Sequence, residues 1–514
     1  MALLDAYVNY VFDLSNHMDC VMTEVGRGER AVFCERKRCM LPHIVRVAER
    51  QTVIERWSKL NGYRDVLAIS LPLVASMGSF TVMQFTDRVF LANYSVDAIA
   101  AALPAGIASF TLVSFFMGVA NYTNVFVAQY TGARTFNRVG ASLWQGIYFS
   151  LGAAVLLALM VFLSDRIFEL IGHSPPIRSL EVAYFNVLTL GAGLVVLNSA
   201  IACFYTGRGL TWTVMIVNVI GAAVNIPLDY CMIYGVGPFP ELGIIGAGMA
   251  TVIASAATTA ILGILIFRKG NRVRFATWQA RAFDKELFGR MMRYGVPSGI
   301  QFFLEIFGFT FFIQMLGRLG DLELAASNIV LSIESLSFLP MVGFHIGNAT
   351  LMGQAIGRRR PEEGAYATTS AIHITMVYMM FLAVLFVLTP EPLLRLFRAD
   401  QHTHDQYAEI MALGVILLRF VAAFSFFDAL NLIFSSAIKG AGDTRFIMWT
   451  IAALCLGVMI VPIYVAVEIM GAGIYAAWTI ATVYVCALGM AFMLRYRQGK
   501  WKRMRVIESA PMGH

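Results

Sequence analysis

Long apolar segments recur along the chain and are separated by shorter polar ones. Twelve of them reach the roughly 20 residues that a helix needs to cross a bilayer. They span about 66–92, 103–129, 144–165, 183–206, 211–235, 241–267, 294–316, 325–352, 366–390, 408–437, 446–467 and 471–494. Glycine and proline occur inside them, as membrane helices tolerate, and the alternation of a transmembrane barrel is absent. The pattern predicts an all-α integral membrane protein with twelve transmembrane helices.

The composition agrees with this prediction. Of 514 residues, 58% are hydrophobic and only 14% are charged, and the mean hydropathy is +0.69. Soluble domains carry about 25% charged residues, so this chain lacks the polar surface that a water-soluble body of its size needs.

Lysine and arginine concentrate in alternate loops. With the N-terminus in the cytoplasm, the loops on that side hold Arg134, Arg138, Arg208, a cluster within 268–293, the triplet 358–360, Lys439, Arg445 and the basic C-terminus. Basic loops remain cytoplasmic, so we expect a multi-pass protein of the cell (inner) membrane with both termini inside. This topology accounts for the formal net charge of +7, and no nucleic-acid partner is expected.

The chain also repeats itself at an offset of 225 residues. The matched pairs are Pro72 with Pro297, Ala101 with Ala326, Gly118 with Gly343, Gln129 with Gln354, and Gly132 with Gly357. Repeats of this kind are typical of transporters, in which two similar bundles move about a central site. The repeat predicts two pseudo-symmetric six-helix bundles.

The domain plan follows from these patterns. We expect a cytoplasmic N-terminal tail at 1–62, an N-lobe of helices 1–6 at 63–267 and a basic cytoplasmic linker at 268–290. A C-lobe of helices 7–12 at 291–495 and a cytoplasmic C-terminal tail at 496–514 complete the plan.

Few ionisable side chains interrupt the predicted spans, and acids outnumber bases among them. They are Asp87, Arg88, Asp229, Glu305, Glu334, His345, His373, Asp428 and Glu468. An acid at the centre of a spanning helix costs about 3 kcal/mol on insertion scales, so each is a candidate functional residue. A permeating cation would pair with the carboxylates and explain their excess.

Helix 5 contains the most informative group. Asn225 and Asp229 are four residues apart and share one helical face, where their oxygens could coordinate Na⁺ or share a proton. Pro227 lies between them and frees a carbonyl oxygen one turn earlier. The alternative is a polar kink whose groups are satisfied by neighbouring helices.

Glu305 and Asp428 are both flanked by phenylalanine. Such surroundings suit a proton on the carboxyl group or a flat lipophilic cation held against the rings; a structural hydrogen bond to another helix is the alternative. Glu334 is expected to face water near a helix end, and His345 and His373 are expected to be packed histidines.

Four stretches resemble the multidrug and toxic compound extrusion (MATE) family, NorM-like branch. They are FTDRVFLA, NIPLDYCMIYG with FPELGIIGAGMAT, VPSGIQFFLE, and DALNLIFSSAIKGAGDT. The resemblance covers about residues 60–495. It implies a two-lobed antiporter that exports drugs while Na⁺ or H⁺ enters, with no bound cofactor.

The resemblance also assigns site residues. It implies a cation site in the N-lobe at Asp87, Asn225, Asp229 and Thr251, with Asn198 nearby, and a second site in the C-lobe at Glu305 and Asp428. Either site would accept Na⁺ or H⁺, and the Glu305–Asp428 pair favours Na⁺. Lipophilic or cationic small molecules and membrane lipids are the expected partners, and a monomer is expected.

Two other classes of protein are weighed against this one. A lipid-linked oligosaccharide flippase of the same superfamily would line its cavity with Arg and Lys to bind pyrophosphate, whereas here Arg88 is the main deep base. A membrane-embedded enzyme would need a nucleophile or metal constellation, and the sequence contains neither HExxH nor GxSxG. We therefore do not expect an enzyme.

Overall fold

The computed structural model describes residues 53–171, 173–396 and 404–508, and these ranges are almost entirely helical. They contain twelve helices long and apolar enough to cross a membrane and no strand, which confirms the predicted fold class. The helices are α1 (Tyr63–Tyr94), α2 (Val96–Gly132), α3 (Phe136–Glu169), α4 (Pro175–Thr206), α5 (Thr211–Tyr234), α6 (Ile244–Ile266), α7 (Lys285–Gly317), α8 (Asp321–Gly357), α9 (Pro361–Leu388), α10 (Tyr407–Ala441), α11 (Thr444–Ile469) and α12 (Ile474–Arg497).

Several helices extend past the apolar segments that predict them. Helix α7 begins at Lys285 rather than near 294, because the Asp284 side chain caps it and accepts hydrogen bonds from the backbone N–H groups of Glu286 and Leu287. Polar residues form these extra turns readily, since helical hydrogen bonds do not depend on apolar side chains. Hydropathy therefore underestimates helix length here.

Each half of the molecule places the start of its first helix in the core of the other half. Val66 of α1 is fully buried within the core built from α7–α12. Leu287 and Met291 of α7 are fully buried in a core built mainly from α2, α3 and α4. The packing therefore crosses the boundaries expected at 63 and 291.

The halves meet most closely where α2 crosses α8. A Cβ atom added to Gly132 would lie 2.0 Å from the Gln354 carbonyl oxygen, and one added to Gly357 would lie 2.0 Å from the Gln129 carbonyl oxygen. Gln129 donates to the Gly440 carbonyl oxygen, and Gln354 donates to that of Gly207, both at 3.0 Å. The two contacts are reciprocal, as expected for pseudo-two-fold symmetry.

This crossing lies at the end of the bundle that carries the basic turns at 133–135 and 358–360, which we call the basic face. Further bonds between the halves lie in the same half of the bundle. Asn124 donates to Thr350 at 3.0 Å, and Ser298 donates to the Gly118 carbonyl oxygen at 3.1 Å. The halves are thus joined firmly at the basic face.

The last described residues also take part in the contact between the halves at the basic face. Trp501, Val506 and Ile507 are buried, and the Val506 N–H donates to the Gln129 side chain at 3.0 Å. Residues 500–508, predicted within a C-terminal tail, are therefore packed; we call them the C-terminal segment.

The Glu508 carboxylate lies between the halves. It accepts hydrogen bonds from Tyr130 and Arg138 of the first half and from Arg290 of α7 at 2.5–2.7 Å. Arg138 also pairs with Asp284 at 2.7 Å. The C-terminal segment thereby ties α3 to the start of α7.

The predicted N-terminal tail lies mostly outside the described residues, which begin at 53. A short helix, Val53–Ser58, precedes α1. Arg56 lies 4.8 Å from the centre of the Tyr366 ring, and Asn61 donates to the Glu363 carbonyl oxygen at 3.2 Å. Residues 53–62 thus lie against α9 of the second half.

Candidate ion and substrate sites

The first polar cluster lies inside the α1–α6 half. Asp87 of α1 and Asp229 of α5 place their carboxyl groups within hydrogen-bonding range of each other, and Asn225 lies one turn before Asp229 and beside it. Asn225 and Asp229 are fully buried. The structure therefore brings together the three residues that the sequence singled out on α1 and α5.

These groups lack the donors that buried carboxylates require. Oδ1 of Asp87, both carboxylate oxygens of Asp229 and both amide atoms of Asn225 are buried without a hydrogen-bond partner. A buried polar group left without a partner costs about 1–3 kcal/mol, and more when it is charged. Two carboxylates cannot donate to each other, so their contact needs a shared proton or a cation between them.

The resemblance also assigned Asn198 and Thr251 to this site, but among the described residues neither is hydrogen-bonded to the acids. Asn198 donates to Thr258 of α6 at 3.0 Å, and its own oxygen remains buried without a partner. In the described ranges no hydrogen bond joins Thr251 to either acid. Thr251 and Thr258 are seven residues, about two turns, apart on the same face of α6, and the resemblance does not distinguish which of them lies at the depth of the acids.

Tyr184 of α4 is a neighbour that sequence reasoning missed. Its hydroxyl lies in the electrostatic field of both Asp87 and Asp229. Tyrosine is ordinary in membrane helices, so no pattern in the sequence marks it. Its hydroxyl group is suitably placed to bind an ion or proton shared by the acids.

An aromatic group follows the N-lobe acids along α1 and α5, toward the end of the bundle away from the basic face. Phe90, Tyr230 and Tyr234 pack edge to face or tilted, with ring centres 5.1–6.3 Å apart, and Tyr234 donates to the Phe90 carbonyl oxygen. These contacts join α1 to α5 about one turn beyond the acids.

The second polar cluster lies inside the α7–α12 half. Gln301 donates to Glu305 at 3.2 Å, and Asn431 donates to Asp428 at 3.3 Å. Glu305 and Asp428 lie close enough to affect each other electrostatically. The sequence-predicted pair is therefore brought into one interior region, with one amide donor for each acid.

Glu334 belongs to this cluster too. The expectation that it faces water near a helix end is wrong, because α8 runs from Asp321 to Gly357 and places it well inside the helix. Asp428 lies close enough to Glu334 to affect it electrostatically. The α7–α12 half therefore holds three interacting acids.

Lys439 supplies a cation to this cluster. It was predicted in a cytoplasmic connection, but α10 continues to Ala441, so Lys439 lies within the last turn. Side chains on a helix lean toward its N-terminus, which directs this one back into the bundle. Its charge acts on Glu305 and on His345, whose Nδ1 donates to the Leu432 carbonyl oxygen at 3.0 Å.

Arg419 was also missed among the ionisable residues of the spans. It lies within α10, on the side away from the basic face, and is exposed. Arg88 is therefore not the only base within an apolar stretch of the described helices, since Arg419 and Lys439 lie in α10. His373 packs as predicted, in contact with the Tyr63 hydroxyl at 2.9 Å.

In the described ranges no three His, Cys, Asp or Glu side chains gather into a metal site. Two similar six-helix halves, joined at one face and each holding buried acids, define a multi-pass membrane transporter.

Known proteins identify this transporter more closely. The MatE family profile matches residues 72–231 and 297–465, one match in each half. The chain is 25% identical over 448 residues to the probable multidrug resistance protein NorM of Thermotoga maritima, covering 86% of this chain and 94% of that protein. It is 28% identical over 391 residues to the multidrug resistance protein NorM of Burkholderia vietnamiensis, covering 74% and 82%.

Solved structures share the fold. An outward-facing multidrug resistance MATE family transporter of the MOP superfamily superimposes with a TM-score of 0.78 at 20% identity, covering 87% of this chain and 98% of that one. The eukaryotic MATE transporter AtDTX14 gives 0.75 at 18% identity, covering 86% and 96%. The chain belongs to the MatE family, whose members are transporters and not enzymes.

Proposed function

We propose that the protein is a multidrug efflux antiporter that exports lipophilic or cationic small molecules in exchange for Na⁺ or H⁺. The Asp87–Asp229 pair, three of whose four carboxylate oxygens are buried without a hydrogen-bond partner, is the observation that carries this proposal. The multidrug resistance names of the relatives support the same activity.

The arginine pattern supports a topology for this activity. We place the basic face in the cytoplasm, together with both termini, and the protein in the cell (inner) membrane as a monomer. Closure at the basic face then corresponds to an outward-facing state, in which the lobes separate on the opposite side.

The N-lobe cluster is the better candidate for the coupling ion. Arg88 is the cation that acts on Asp87, and it is exposed. Glu305, in contrast, already has the Lys439 charge inside the bundle. An entering proton or Na⁺ therefore gains more from Asp87 and Asp229, whose charges have less internal compensation.

The C-lobe cluster suits the exported compound. Three acids and one lysine leave a net negative charge, and Phe302, Phe303 and Phe307 of α7 flank Glu305. A flat organic cation would bind the carboxylates and the ring faces together. The positive charge of Lys439 would then weaken the binding of a cation to these carboxylates.

Exchange follows if ion and drug favour different states. An ion that binds the Asp87–Asp229 pair in the outward-facing state supplies the proton or the positive charge that the two carboxylates need and repacks α1 against α5. The ion-loaded lobe loses affinity for the drug, which leaves to the outside. The protein then reorients and releases the ion in the cytoplasm, and a membrane potential that is negative inside drives the cation inward.

The test uses purified protein in liposomes loaded with a fluorescent lipophilic cation, with a Na⁺ gradient and a pH gradient imposed separately. We expect one gradient to drive transport, and Asp87→Asn and Asp229→Asn each to abolish it. Asp97→Asn is the matched control, because Asp97 is an exposed acid in the first turn of α2. Glu305→Gln should weaken dye binding while the response to the ion remains.

Lipid-linked oligosaccharide flipping is the alternative. A cavity for pyrophosphate needs several bases, and in the described spans the interior bases are fewer than the interior acids. If neither gradient moves the dye and a fluorescent pyrophosphate lipid is flipped, the antiporter proposal is wrong.

A further inference from the structure

A pocket of about 340 Å³ opens on the basic face, apart from both acidic clusters. It lies between the turn that joins α8 to α9 and the C-terminal segment. The residues that line it include Arg359, Pro361, Lys502, Arg503, Met504 and Arg505. Four of these side chains are cationic and none is acidic, so the pocket has the charge of an anion site.

The neighbouring acids are already engaged with other cations. Glu363 pairs with Arg358 at 2.9 Å and with Arg360 at 3.0 Å, on either side of Arg359. Glu508 pairs with Arg138 and Arg290. Within the described ranges, Arg359, Lys502 and Arg505 make no ion pair, so their charges remain available in the pocket.

Arg505 is the residue that points most directly to a ligand. Its Nε atom is buried and has no hydrogen-bond partner. Burial, and then the positive charge of Arg359, lower the pKa of Arg505, while Glu508 opposes them. Arg359 and Arg505 line the same pocket, so their guanidinium groups repel each other, and an anion bound between them would relieve that repulsion.

The backbone of the turn adds to this arrangement. Arg359 has φ = +59°, in the left-handed region, which costs an arginine on the order of 1 kcal/mol or more. Helix α9 begins directly afterwards at Pro361, so the positive end of its dipole also lies at the pocket. The helix dipole therefore adds to the positive potential of the four cationic side chains.

We propose that this pocket binds a phosphate group. Arginine forks match phosphate oxygens in pairs, and both a singly charged phosphodiester and a doubly charged phosphomonoester would compensate part of the charge of the four cations. The group can belong to the headgroup of an anionic phospholipid or to a free phosphate compound. In either case it joins the α8–α9 turn to the C-terminal segment, which in turn holds the two halves together through Glu508.

The first repeat offers a matched control. Arg134 occupies the same position as Arg359, since 359 − 134 = 225, and it has the same left-handed backbone with φ = +59°. Arg134 is exposed, as Arg359 is, but it does not line this pocket. If the site is specific, its affinity for phosphate falls when Arg359 or Arg505 is substituted. Non-specific attraction of anions to a basic surface would weaken equally when Arg134 is substituted.

The experiment measures the thermal unfolding midpoint of the full chain in two arms. One arm titrates inorganic phosphate in detergent against chloride at equal ionic strength. The other compares phosphatidylcholine nanodiscs with nanodiscs that contain increasing phosphatidylglycerol. We expect a saturable rise in at least one arm, with half-saturation shifted roughly tenfold or more in Arg505→Gln and Arg359→Gln and unchanged in Arg134→Gln.

The outcomes distinguish the two possible sources of the bound phosphate group. Saturation by inorganic phosphate alone identifies a soluble phosphate compound, and saturation by phosphatidylglycerol alone identifies a lipid headgroup. Equal responses of Arg134→Gln and Arg359→Gln, or no saturation in either arm, overturn the proposal. If Arg505→Gln fails to fold, Lys502→Gln takes its place, because that side chain is exposed and lines the same pocket.

Discussion

The crossing of α2 and α8 allows one change to be worked through quantitatively. In Gly357→Ala the new Cβ would lie 2.0 Å from the Gln129 carbonyl oxygen and 3.0 Å from the Ala133 nitrogen, both of which are backbone atoms. Non-bonded heavy atoms settle about 3.5 Å apart, so the helices must part by on the order of 1 Å. That movement separates Gln129 from Gly440 and Gln354 from Gly207.

The expected cost follows from these contacts. Overpacking costs about 1–3 kcal/mol. Loss of two hydrogen bonds at about 0.5–1.5 kcal/mol each raises the total to about 2–6 kcal/mol. A cost of about 2 kcal/mol, the lower limit, changes the ratio of molecules closed at the basic face to molecules open there by roughly 25-fold. We expect Gly132→Ala to act alike, because the contact is reciprocal.

The assay labels a cysteine placed at Ser298, a fully buried residue between the halves, in a background without other cysteines. Maleimide labelling should become faster in Gly357→Ala, and the thermal midpoint should fall. Gly152→Ala is the control, because no atom lies within 4 Å of its added Cβ and alanine favours the helix by about 1 kcal/mol. Labelling and stability equal to those of the control would refute the reasoning.

Other features of the structure give further predictions. Burial acts to raise the pKa of Glu508, but hydrogen bonds from Tyr130 and Arg290 outweigh it and lower that pKa to about 2. Because the folded-state pKa is depressed, the stabilisation is fully present above the ordinary value near 4.5 and declines as pH falls toward 2. The gap in thermal midpoint between wild type and Glu508→Gln should therefore be constant above about pH 5 and narrow in acid; a gap that does not depend on pH would contradict this. Lys439→Gln should tighten binding of a lipophilic cation dye several-fold, measured by fluorescence titration, because Glu305 loses its internal cation; Lys500→Gln, an exposed change, is the control, and equal affinities in both variants would exclude the effect. Tyr184→Phe should weaken coupling-ion binding in the liposome assay without changing dye affinity, and unchanged ion dependence would remove Tyr184 from the site.

The sequence predicted much of this architecture because membrane helices obey simple rules. Apolar runs located all twelve helices, and an offset of 225 paired Gln129 with Gln354 and Gly132 with Gly357. Those pairs form the crossing of α2 and α8, where only glycine allows the backbones to approach. Local hydropathy therefore predicted the helices, and the internal repeat predicted their symmetry.

Other features depend on long-range packing that no local pattern encodes. The basic C-terminal segment reads as a solvated tail, yet Val506 and Ile507 are buried and Glu508 pairs across the halves. Lys439 reads as a loop residue because the glycine that follows it suggests a helix end, whereas α10 continues to Ala441. Spacing on α5 paired Asn225 with Asp229, and the resemblance added Asp87, but neither marked Tyr184, because α4 approaches the acids only in the folded bundle.

The exchange of helix starts between the halves also constrains synthesis. While the ribosome has completed only α1–α6, the apolar side chain of Val66 has no core to enter, and the first half lacks Leu287 and Met291. The first six helices can insert one by one, but their packing must wait for the translation of α7 and of the helices that follow it. Maturation is thus concerted: neither half is a finished folding unit until the other has been made.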